Sequence, residues 1–202
     1  MERDSNIMRK VLLDCGTHFG QGLNELIQKL NLNGDWVIHT FEANPETYKK
    51  FVDEYWGGRQ WITHHNKAIS DHDGTITINL ETFPNGDKNG MGSSIVDLEK
   101  WNPWNTEHRN QFIQREIPCI DFSKFIKENF DKEDEIIIKM DIEGAEFDVL
   151  DHMFNTNAIE YVNSMYIEWH AHFFTNRDEM MQKQNALKEK IKSFGIEMEN
   201  WK

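Results

Sequence analysis

Short apolar runs alternate with amphipathic segments over the first 65 residues of the chain. An apolar run at residues 11–13 is followed by Asp14 and by several glycines, which predicts a buried strand that opens into a turn. Apolar residues at 23, 26, 27 and 30 then have the spacing of one helical face, and Asn33-Gly34 is expected to end that helix. Residues 36–41 predict a second strand.

A second helix and a third strand follow. Asn44 can cap a helix whose first residue is Pro45. Apolar residues at 48, 51, 52 and 55 give that helix its inner face, Gly57 ends it, and residues 61–65 predict a third strand. Strands that alternate with amphipathic helices form parallel sheets with right-handed crossovers. The pattern therefore predicts an α/β fold.

The alternation changes after the third strand. Asp73-Gly74 precedes a strand of period two at residues 75–80, with no helix between them, which predicts an antiparallel hairpin. We assign residues 71–134 to an insertion within one domain that spans residues 1–202. Residues 81–112 contain glycines, Trp101 and Trp104 without a clean period, and long irregular connections are often functional. We expect a substrate lid there, although Trp101 and Trp104 are as well suited to anchoring the loop as to stacking on a sugar.

Regular patterns return in the second half. Asp121 can cap a short helix, and residues 136–138 form the strongest predicted strand. Residues 165–170 predict a fifth parallel strand. A last helix is expected to begin near Asn176, and residues 196–201 predict a final edge strand.

Length and charge narrow the function classes. A chain of 202 residues fits one domain, and 35 acidic against 22 basic residues give a net charge of −13, so nucleic acid is not an expected partner. No apolar run exceeds three residues, which predicts no membrane span, and the first residues lack a signal-peptide core. We expect a cytoplasmic protein with reduced Cys15 and Cys119, and we make no prediction of its oligomeric state.

Ligands of open α/β sheets bind beyond the carboxyl ends of the strands. The chain places polar residues at each of these ends: Asp14, Glu42, the segment Asn66-Lys67-Ala68, Asp141, Glu143, Glu168 and His170. The first strand is followed by Gly16, Gly20 and Gly22, whose spacing differs from the G-x-G-x-x-G of dinucleotide-binding loops. The spacing therefore disfavours a reductase that uses NAD(P).

Two carboxylates indicate the kind of ligand. Asp14 stands directly before the glycine loop, where it would repel a pyrophosphate and attract a cationic or amino-acid-bearing ligand. Glu42 can accept hydrogen bonds from both hydroxyls of a ribose. S-adenosylmethionine has a positive amine and sulfonium, a ribose, and a carboxylate that suits the N-terminus of a helix. We predict a donor pocket formed by Asp14, Gly16, Gly20 and Glu42.

Two segments resemble a known family. Residues 11–20, VLLDCGTHFG, resemble the first motif of class I S-adenosylmethionine-dependent methyltransferases. Residues 138–146, IKMDIEGAE, resemble the K-x-D-x-E-G-x-E signature of FkbM-like methyltransferases, and the similarity extends over about residues 10–195. His18 departs from the Asn or Gly common at its position, and the final strand looks shorter than in the seven-stranded sheet typical of the class.

The resemblance implies a Rossmann-like, doubly wound, mostly parallel sheet with the antiparallel hairpin inserted after the third strand. It also implies S-adenosylmethionine as the donor and O-methylation, often of a sugar or polyketide hydroxyl. By the same resemblance, further donor-binding residues are expected in three segments: Thr17 and His18, Ala43, and Lys67 and Ala68.

Methyl transfer to a hydroxyl needs an aligned acceptor and a group that assists loss of its proton. Asp141 is our first candidate. Glu143 is also a catalytic candidate, and alternation along a strand would point it to the opposite side from Asp141. Glu146 more simply complements the start of the following helix. His170 is a candidate base, and Asp141, Glu168 and His170 together could bind a divalent cation such as Mg²⁺.

Three functions stay open at this stage. The first is O-methylation of a hydroxyl on a sugar, a glycan or a small natural-product-like acceptor. The second is N-methylation, and the third is a cofactor- or glycan-binding module without turnover. Asp141 and His170 favour an enzyme, because a binding module needs no titratable groups beside the methyl group.

Overall fold

The computed structural model describes residues 8–82, 90–101 and 112–201. Its strands are β1 (Lys10–Cys15), β2 (Trp36–Phe41), β3 (Ile62–His65), β4 (Ala68–Ser70), β5 (Gly74–Glu81), β6 (Phe112–Asp121), β7 (Glu135–Met140), β8 (Ser164–Ile167) and β9 (Glu197–Asn200). Its α-helices are α1 (Gln21–Leu30), α2 (Pro45–Lys50), α3 (Phe122–Asn129), α4 (Glu146–Asn155) and α5 (Arg177–Ser193). A π-helix (Phe51–Trp56) and two 3₁₀ turns (Ala158–Tyr161 and Ala171–Phe173) complete the described elements.

Six strands form one parallel sheet in the order β3-β2-β1-β7-β8-β9. Helices α3, α4 and α5 pack on one face, while α1 and the π-helix pack on the other. Both faces are therefore buried, which explains why β1 and β7 read as continuous apolar runs. The order reverses between β1 and β7, as in doubly wound folds. The predicted α/β, Rossmann-like, mostly parallel sheet is confirmed, with six strands in the described part of the chain.

The inserted strands form a separate sheet in the order β4-β6-β5. Strand β5 pairs with β6 in antiparallel fashion, whereas β4 pairs with β6 in parallel. The antiparallel insertion is confirmed, but Asp73-Gly74 is not the turn of a two-stranded hairpin. It joins β4 to β5, and β6 lies between these two strands, so the partner of β5 comes from about 40 residues further along the chain.

The second predicted helix consists of an α-helical part followed by a π-helical part. Asn44 caps α2, as expected, since its side chain accepts hydrogen bonds from the backbone N–H groups of Glu46 and Thr47. From Phe51 to Trp56 the chain is π-helical. The wider winding buries Trp56 beside Phe51 and leaves Tyr55 exposed, so the prediction that residue 55 belongs to the inner face is wrong.

Other helix ends follow local chemistry. Asp121 caps α3 by accepting a hydrogen bond from the N–H of Lys124, as predicted. Helix α1 ends at Leu30, because Asn31 adopts a left-handed conformation three residues before Gly34.

In the described residues, no helix has the length and apolar character needed to span a membrane. Cys15 and Cys119 are free and buried, as predicted, while the cytoplasmic location stays a prediction.

The insertion is fastened to the main sheet through residues 90–101. The Ser94 hydroxyl donates a hydrogen bond of 2.5 Å to the carbonyl oxygen of Glu143. Trp101 is fully buried, and its ring occupies the space that a side chain at position 144 would need. Trp101 is therefore an anchor rather than a stacking surface. Trp104 and much of the expected lid, residues 83–89 and 102–111, lie outside the described residues.

Candidate functional site

A cavity of about 430 Å³ lies at the carboxyl edge of the main sheet, where the strand order reverses between β1 and β7. This is the position at which open α/β sheets bind ligands, and the volume is that of a small-molecule site. It is lined by Gly16, Thr17, His18, Gln21, Gly22, Glu25, Phe41, Glu42, Ala43, Lys67, Ala68, Ile69, Ile78, Gly90, Met91, Ser93, Ile95, Lys139, Asp141, Ile142, Glu143, Ala145, Glu168 and Trp201.

The loop after β1 approaches the end of β7 closely. The N–H groups of Gly16 and Thr17 both donate to the carbonyl oxygen of Phe41, at 2.9 and 3.1 Å. Gly16 has φ +78°, and a Cβ there would lie 1.7 Å from the carbonyl oxygen of Asp141. Only glycine fits such an approach. His18 has φ +50°, a left-handed conformation that Gly and Asn adopt more readily than most other residues.

Gly20 supports the loop from behind the cavity. It has φ +82°, and a Cβ there would lie 2.3 Å from the indole nitrogen of Trp56. The same nitrogen donates a hydrogen bond of 3.3 Å to the carbonyl oxygen of Phe19. The π-helix therefore holds the glycine loop through Trp56, and Gly20 lies outside the cavity wall.

Lys139 connects the glycine loop to the end of β7. Its Nζ donates a hydrogen bond of 2.6 Å to the carbonyl oxygen of Gly16 and lies 3.2 Å from Asp141 and 3.5 Å from Asp14. Burial alone would lower the pKa of Lys139, but the carboxylates of Asp141 and Asp14 raise it above its ordinary value. The ammonium group is thus a fixed internal charge that aligns three parts of the site.

Asp14 is fully buried and does not line the cavity. Burial raises the pKa of its carboxyl, and the ammonium group of Lys139 counters this effect. The structure therefore places Asp14 beneath the loop and, like Gly20, outside the cavity wall. From the sequence, Asp14 was predicted to contact the ligand. The pairing of β1 with β7 places Lys139 beside Asp14, and the local sequence around Asp14 does not reveal this partner.

Glu42 follows β2 and faces the glycine loop. Its two carboxylate oxygens accept hydrogen bonds from the N–H groups of His18 and Asn44, each at 2.8 Å. Burial raises the pKa of Glu42, while these two N–H groups favour the charged form. The two bonds fix the carboxylate at the cavity wall, where each oxygen retains capacity for another hydrogen bond. Ala43, Lys67 and Ala68 line the same end of the cavity.

A cluster of carboxylates surrounds His170 at the ends of β7 and β8. The Nε2 atom of His170 lies 3.8 Å from Asp141, 3.7 Å from Glu143 and 3.8 Å from Glu168. These separations exceed a hydrogen bond, and all three carboxylates line the cavity. The imidazole itself is buried behind them and does not reach the cavity wall.

Glu146 orients His170. It is fully buried at the start of α4, and one of its oxygens accepts from the backbone N–H of His170 at 2.8 Å and lies 3.2 Å from Nδ1. The other oxygen accepts a hydrogen bond of 2.9 Å from the N–H of Gly144. Glu146 therefore satisfies the backbone before α4, as expected, and also fixes the imidazole.

Glu143 lies on the same side as Asp141, so the prediction that these carboxylates point to opposite sides is wrong. Alternation ends with β7 at Met140, before either residue. Glu143 has φ +51° and Gly144 has φ +96°, so the chain turns sharply and brings the Glu143 carboxylate back towards His170. Strand periodicity gives no information beyond the end of the strand.

The cluster shifts the pKa values of its members. Burial lowers the pKa of His170, but the carboxylate of Glu146 and its neighbours raise it to about 9. Burial raises the pKa of Glu143 to about 8, and burial with the charge of Asp141 raises that of Glu168 to about 7. Groups with strongly shifted pKa values in a cleft are typical of functional sites.

Asp141, Glu168 and His170 also have the arrangement of a candidate cation site. One possible ligand atom from each of them lies within 4.8 Å of those of the others. The Glu146 contact at Nδ1 leaves Nε2 directed towards the carboxylates, and metal-binding histidines are commonly held in this way by a carboxylate.

The structure thus brings together most of the predicted site residues. It leaves three of them, Asp14, Gly20 and His170, behind the cavity wall. Lys139 and Trp201 also line the cavity, although neither was predicted to contribute to the site. A lysine two residues before Asp141 on a buried strand was a usable signal, because a buried lysine requires an acidic partner.

Comparison with known proteins identifies the family. A model of the methyltransferase FkbM domain matches residues 14–191. The chain is similar, at TM-score 0.46 and 15% identity, to the crystal structure of methyltransferase FkbM from Methylobacillus flagellatus KT, over 92% of this chain and 39% of that chain. This chain thus corresponds to less than half of that neighbour's length. No curated protein matches. With the family model matched over most of its length, the chain belongs to the FkbM methyltransferase family.

Proposed function

We propose that this protein transfers a methyl group from S-adenosylmethionine to a hydroxyl oxygen of a sugar, a glycan or another small natural-product-like acceptor. The observation that carries the proposal is the cavity at the β1–β7 reversal, whose wall contains the fixed carboxylate of Glu42 together with the carboxylates of Asp141, Glu143 and Glu168. Membership of a methyltransferase family supports the reaction class.

The residues around Glu42 fit the donor. Gly16, Thr17 and His18 form the loop that faces the Glu42 carboxylate, and a ribose diol can hydrogen-bond to the lone pairs that His18 and Asn44 leave available. Asp14 and Gly20 support this loop through Lys139 and Trp56 rather than by contact with the donor. Ala43, Lys67 and Ala68 complete the donor end.

The carboxylates beyond β7 fit the methyl-transfer step. The acceptor oxygen forms its bond to the methyl carbon as the bond from sulfur to that carbon breaks, and the hydroxyl proton passes to a carboxylate. Asp141 is the proposed proton acceptor, since it lines the cavity and is held by Lys139. Glu143 lines the same wall. His170 acts as a positioning residue, because it reaches three carboxylates but not the cavity.

Donor binding is tested by calorimetry with S-adenosylhomocysteine and, separately, with NAD. We expect binding of the first only, and Glu42→Ala should weaken it by about 1–3 kcal/mol through lost ribose contacts. Glu54→Ala, on the π-helix and away from the cavity, is the matched control. Unchanged binding in Glu42→Ala would remove Glu42 from the donor site, and binding of NAD alone would overturn the proposal.

The acceptor atom and the need for a cation are tested by turnover. A screen of hydroxyl and amine compounds is read by formation of S-adenosylhomocysteine, and methylation of amines alone would replace O-methylation by N-methylation. If Asp141, Glu168 and His170 hold Mg²⁺ or Mn²⁺, a chelator abolishes turnover and the added cation restores it. Activity that persists in chelator excludes a required cation.

A further inference from the structure

A second cavity, of about 350 Å³, lies between the small sheet and helices α4 and α5. Strand β5 contributes Ile76 to its wall, and the two helices contribute Val149 and Met180. Part of the connection between β5 and β6 closes one side, where the N–H of Thr175 donates a hydrogen bond of 2.9 Å to the carbonyl oxygen of Lys100. The cavity is therefore built into the fold, and its volume is in the range of small-molecule sites.

Two side chains stand between this second cavity and the main one. Among the described residues, Ile95 and Ala145 line both cavities. Ala145 contributes only a methyl group, so the Ile95 side chain forms most of the partition.

Asn79 fixes the backbone on both sides of Ile95. Its N–H donates to the carbonyl oxygen of Ser94 at 2.8 Å, and its side-chain amide donates to that of Val96 at 2.7 Å. A β-branched side chain such as that of Ile95 is also stiff about its first torsion. The thickness of the partition is therefore set by the residue type at position 95.

The partition lies beside the proposed proton acceptor. The chain leaves β7 through Asp141 and Glu143, which line the main cavity, and Gly144 directly after them lines the second. A hydroxyl placed against Asp141 would therefore have the second cavity next to it, across Ile95.

The main cavity has little room for more than the donor. Its volume of about 430 Å³ is near the lower limit of the range, about 300–1,000 Å³, of sites that hold one drug-sized ligand. S-adenosylmethionine is itself a ligand of that size. The part of an acceptor that lies beyond its hydroxyl therefore needs space elsewhere, and the second cavity is adjacent.

The wall of the second cavity is suited to an apolar group. Ile76, Val149, Phe174 and Met180 line it, and a hydrocarbon group packed against them would be removed from water. In the described part of this wall, three aspartates stand against two lysines: Asp71, Asp97, Asp148, Lys100 and Lys183. An anion is therefore disfavoured.

The aspartates of the second cavity also have partners within the protein. An oxygen of Asp71 lies 2.7 Å from Nδ1 of His72, and Asp97 accepts a hydrogen bond of 2.9 Å from the N–H of Glu99. Asp148 lies 3.6 Å from the ammonium group of Lys183. These carboxylates need no cation from a ligand, so an uncharged group fits the cavity best.

We propose that the second cavity holds the distal part of the methyl acceptor, an uncharged hydrocarbon ring or chain, and that Ile95 determines which acceptors can span both cavities. This inference rests on the proposed methyltransferase function. It goes beyond that function by assigning a second binding site and a specificity-determining residue.

The test is NMR of protein labelled with ¹³C at its isoleucine and methionine methyl groups, with and without S-adenosylhomocysteine. The probe is 4-cyclohexylcyclohexanol, which has a hydroxyl-bearing ring and a distal ring. It should shift the signals of Ile76 and Met180, which line the second cavity but not the main one, together with that of Ile95. Cyclohexanol, which lacks the distal ring, should leave the signals of Ile76 and Met180 in place.

Two further probes test the chemistry of the distal group. Methyl cellobioside has two polar rings, and 4-(4-hydroxycyclohexyl)cyclohexanecarboxylate has an anionic distal ring. Each should bind at least about 10-fold more weakly than 4-cyclohexylcyclohexanol, because each brings polar or charged groups against the apolar wall.

Substitutions at Ile95 test the partition. Ile95→Ala should raise the affinity for 4-cyclohexylcyclohexanol relative to cyclohexanol by about 3- to 10-fold, and Ile95→Phe should lower this ratio by about 10-fold. Ile113→Ala and Ile113→Phe are the matched controls, since Ile113 is an exposed residue of β6 that lines neither cavity. Both should keep the parent ratio.

Unshifted signals of Ile76 and Met180 with 4-cyclohexylcyclohexanol overturn the inference, and so does an unchanged ratio in both Ile95 variants. Binding of the polar or anionic probe as tight as that of 4-cyclohexylcyclohexanol overturns the assignment to a hydrocarbon group. Affinity for S-adenosylhomocysteine is measured separately by calorimetry on each variant. Loss of donor binding in the parent refutes the proposed function, whereas the signals of Ile76 and Met180 report on the second cavity alone.

Discussion

Histidines that are shielded from solvent occur in two regions of the protein, and their pKa values shift in opposite directions. His39 and His65, on β2 and β3, share a hydrogen bond of 2.9 Å among aromatic rings, and burial lowers the pKa of each to about 4. His170 is more deeply buried, yet the carboxylates around it raise its pKa to about 9. Burial always opposes the charged form, so the sign of the shift depends on the neighbours.

The difference separates a structural use of histidine from a functional one. Phe41 stacks on His65 at 4.6 Å, and Phe125 packs against His39 edge to face, so these half-buried imidazoles serve as neutral polar members of an aromatic cluster. The His170 cluster instead concentrates charge at a cavity, and a fold can maintain such a cluster only with internal counter-charges. Lys139 and His170 supply them.

The largest expected effect comes from removing one carboxylate of the charged region. Asp141→Asn should reduce methyl transfer by about 10²–10⁴-fold, because the acceptor hydroxyl loses its proton acceptor, while affinity for S-adenosylhomocysteine changes little. The measurement is turnover with any accepted hydroxyl compound. Asp148→Asn, an exposed carboxylate on α4, should retain parent activity. Full activity in Asp141→Asn would show that positioning alone is sufficient.

Alkaline pH should destabilise the charged region selectively. The pKa of His170 is raised in the folded state, so its contribution to stability is complete below about pH 6.5 and is lost as pH rises towards 9. The raised pKa of Glu143 acts in the same direction up to about pH 8. Urea unfolding at pH 7 and pH 9 measures the loss.

Glu146→Gln sharpens this test. It should lower the pKa of His170, followed by NMR of the ring protons, and should decrease the alkaline loss of stability. It should also cost about 1–3 kcal/mol at neutral pH, because a buried ionic partner is removed. Glu189→Gln, on the exposed side of α5, is the control. An unchanged His170 pKa in Glu146→Gln would contradict the assigned cause.

Acid pH should test the aromatic region, with a smaller effect. The pKa values of His39 and His65 are lowered by folding, so their contribution is complete above about pH 6.5 and is lost as pH falls towards 4. Because solvent reaches both rings and weakens the effect, we expect the two histidines to lower the free energy of unfolding by about 1 kcal/mol at pH 5.

The charged region gains stability over the same acid range, so the effect of the histidine pair is read as a difference between variants. His65→Phe should lose less stability than the parent between pH 7 and pH 5. His72→Gln, at an exposed position, should not decrease the loss. If His65→Phe loses as much stability as the parent, the histidine pair does not cause the loss of stability between pH 7 and pH 5.

The sequence predicted the main sheet because its strands are buried on both faces and its helices have clear apolar faces. It could not predict the partner of β5, since pairing with β6 depends on contacts across a long insertion. The sequence also did not predict the π-helix at residues 51–56, because a π-helix and an α-helix have similar apolar patterns over two turns.

The site residues followed the same division. Glu42 and Asp141 were predicted from their places at strand ends, and the structure places both at the cavity wall. Asp14 has an equivalent place in sequence but meets Lys139 in the interior. The Glu143 carboxylate turns back because of a positive φ that no periodicity encodes. Trp201 follows β9, and its indole packs on Gly22 of α1, a contact between distant parts of the chain that no local pattern predicts.

The π-helix has a consequence for how this part of the chain tolerates change in length. Deleting one residue between Phe51 and Trp56 would favour ordinary α winding and rotate the indole away from Gly20 and Phe19. Substitutions at exposed Tyr55 leave that contact in place. The segment should therefore accept changes of residue type at its exposed positions and resist insertions and deletions, because the number of residues between Phe51 and Trp56 sets where the indole meets the glycine loop that follows β1.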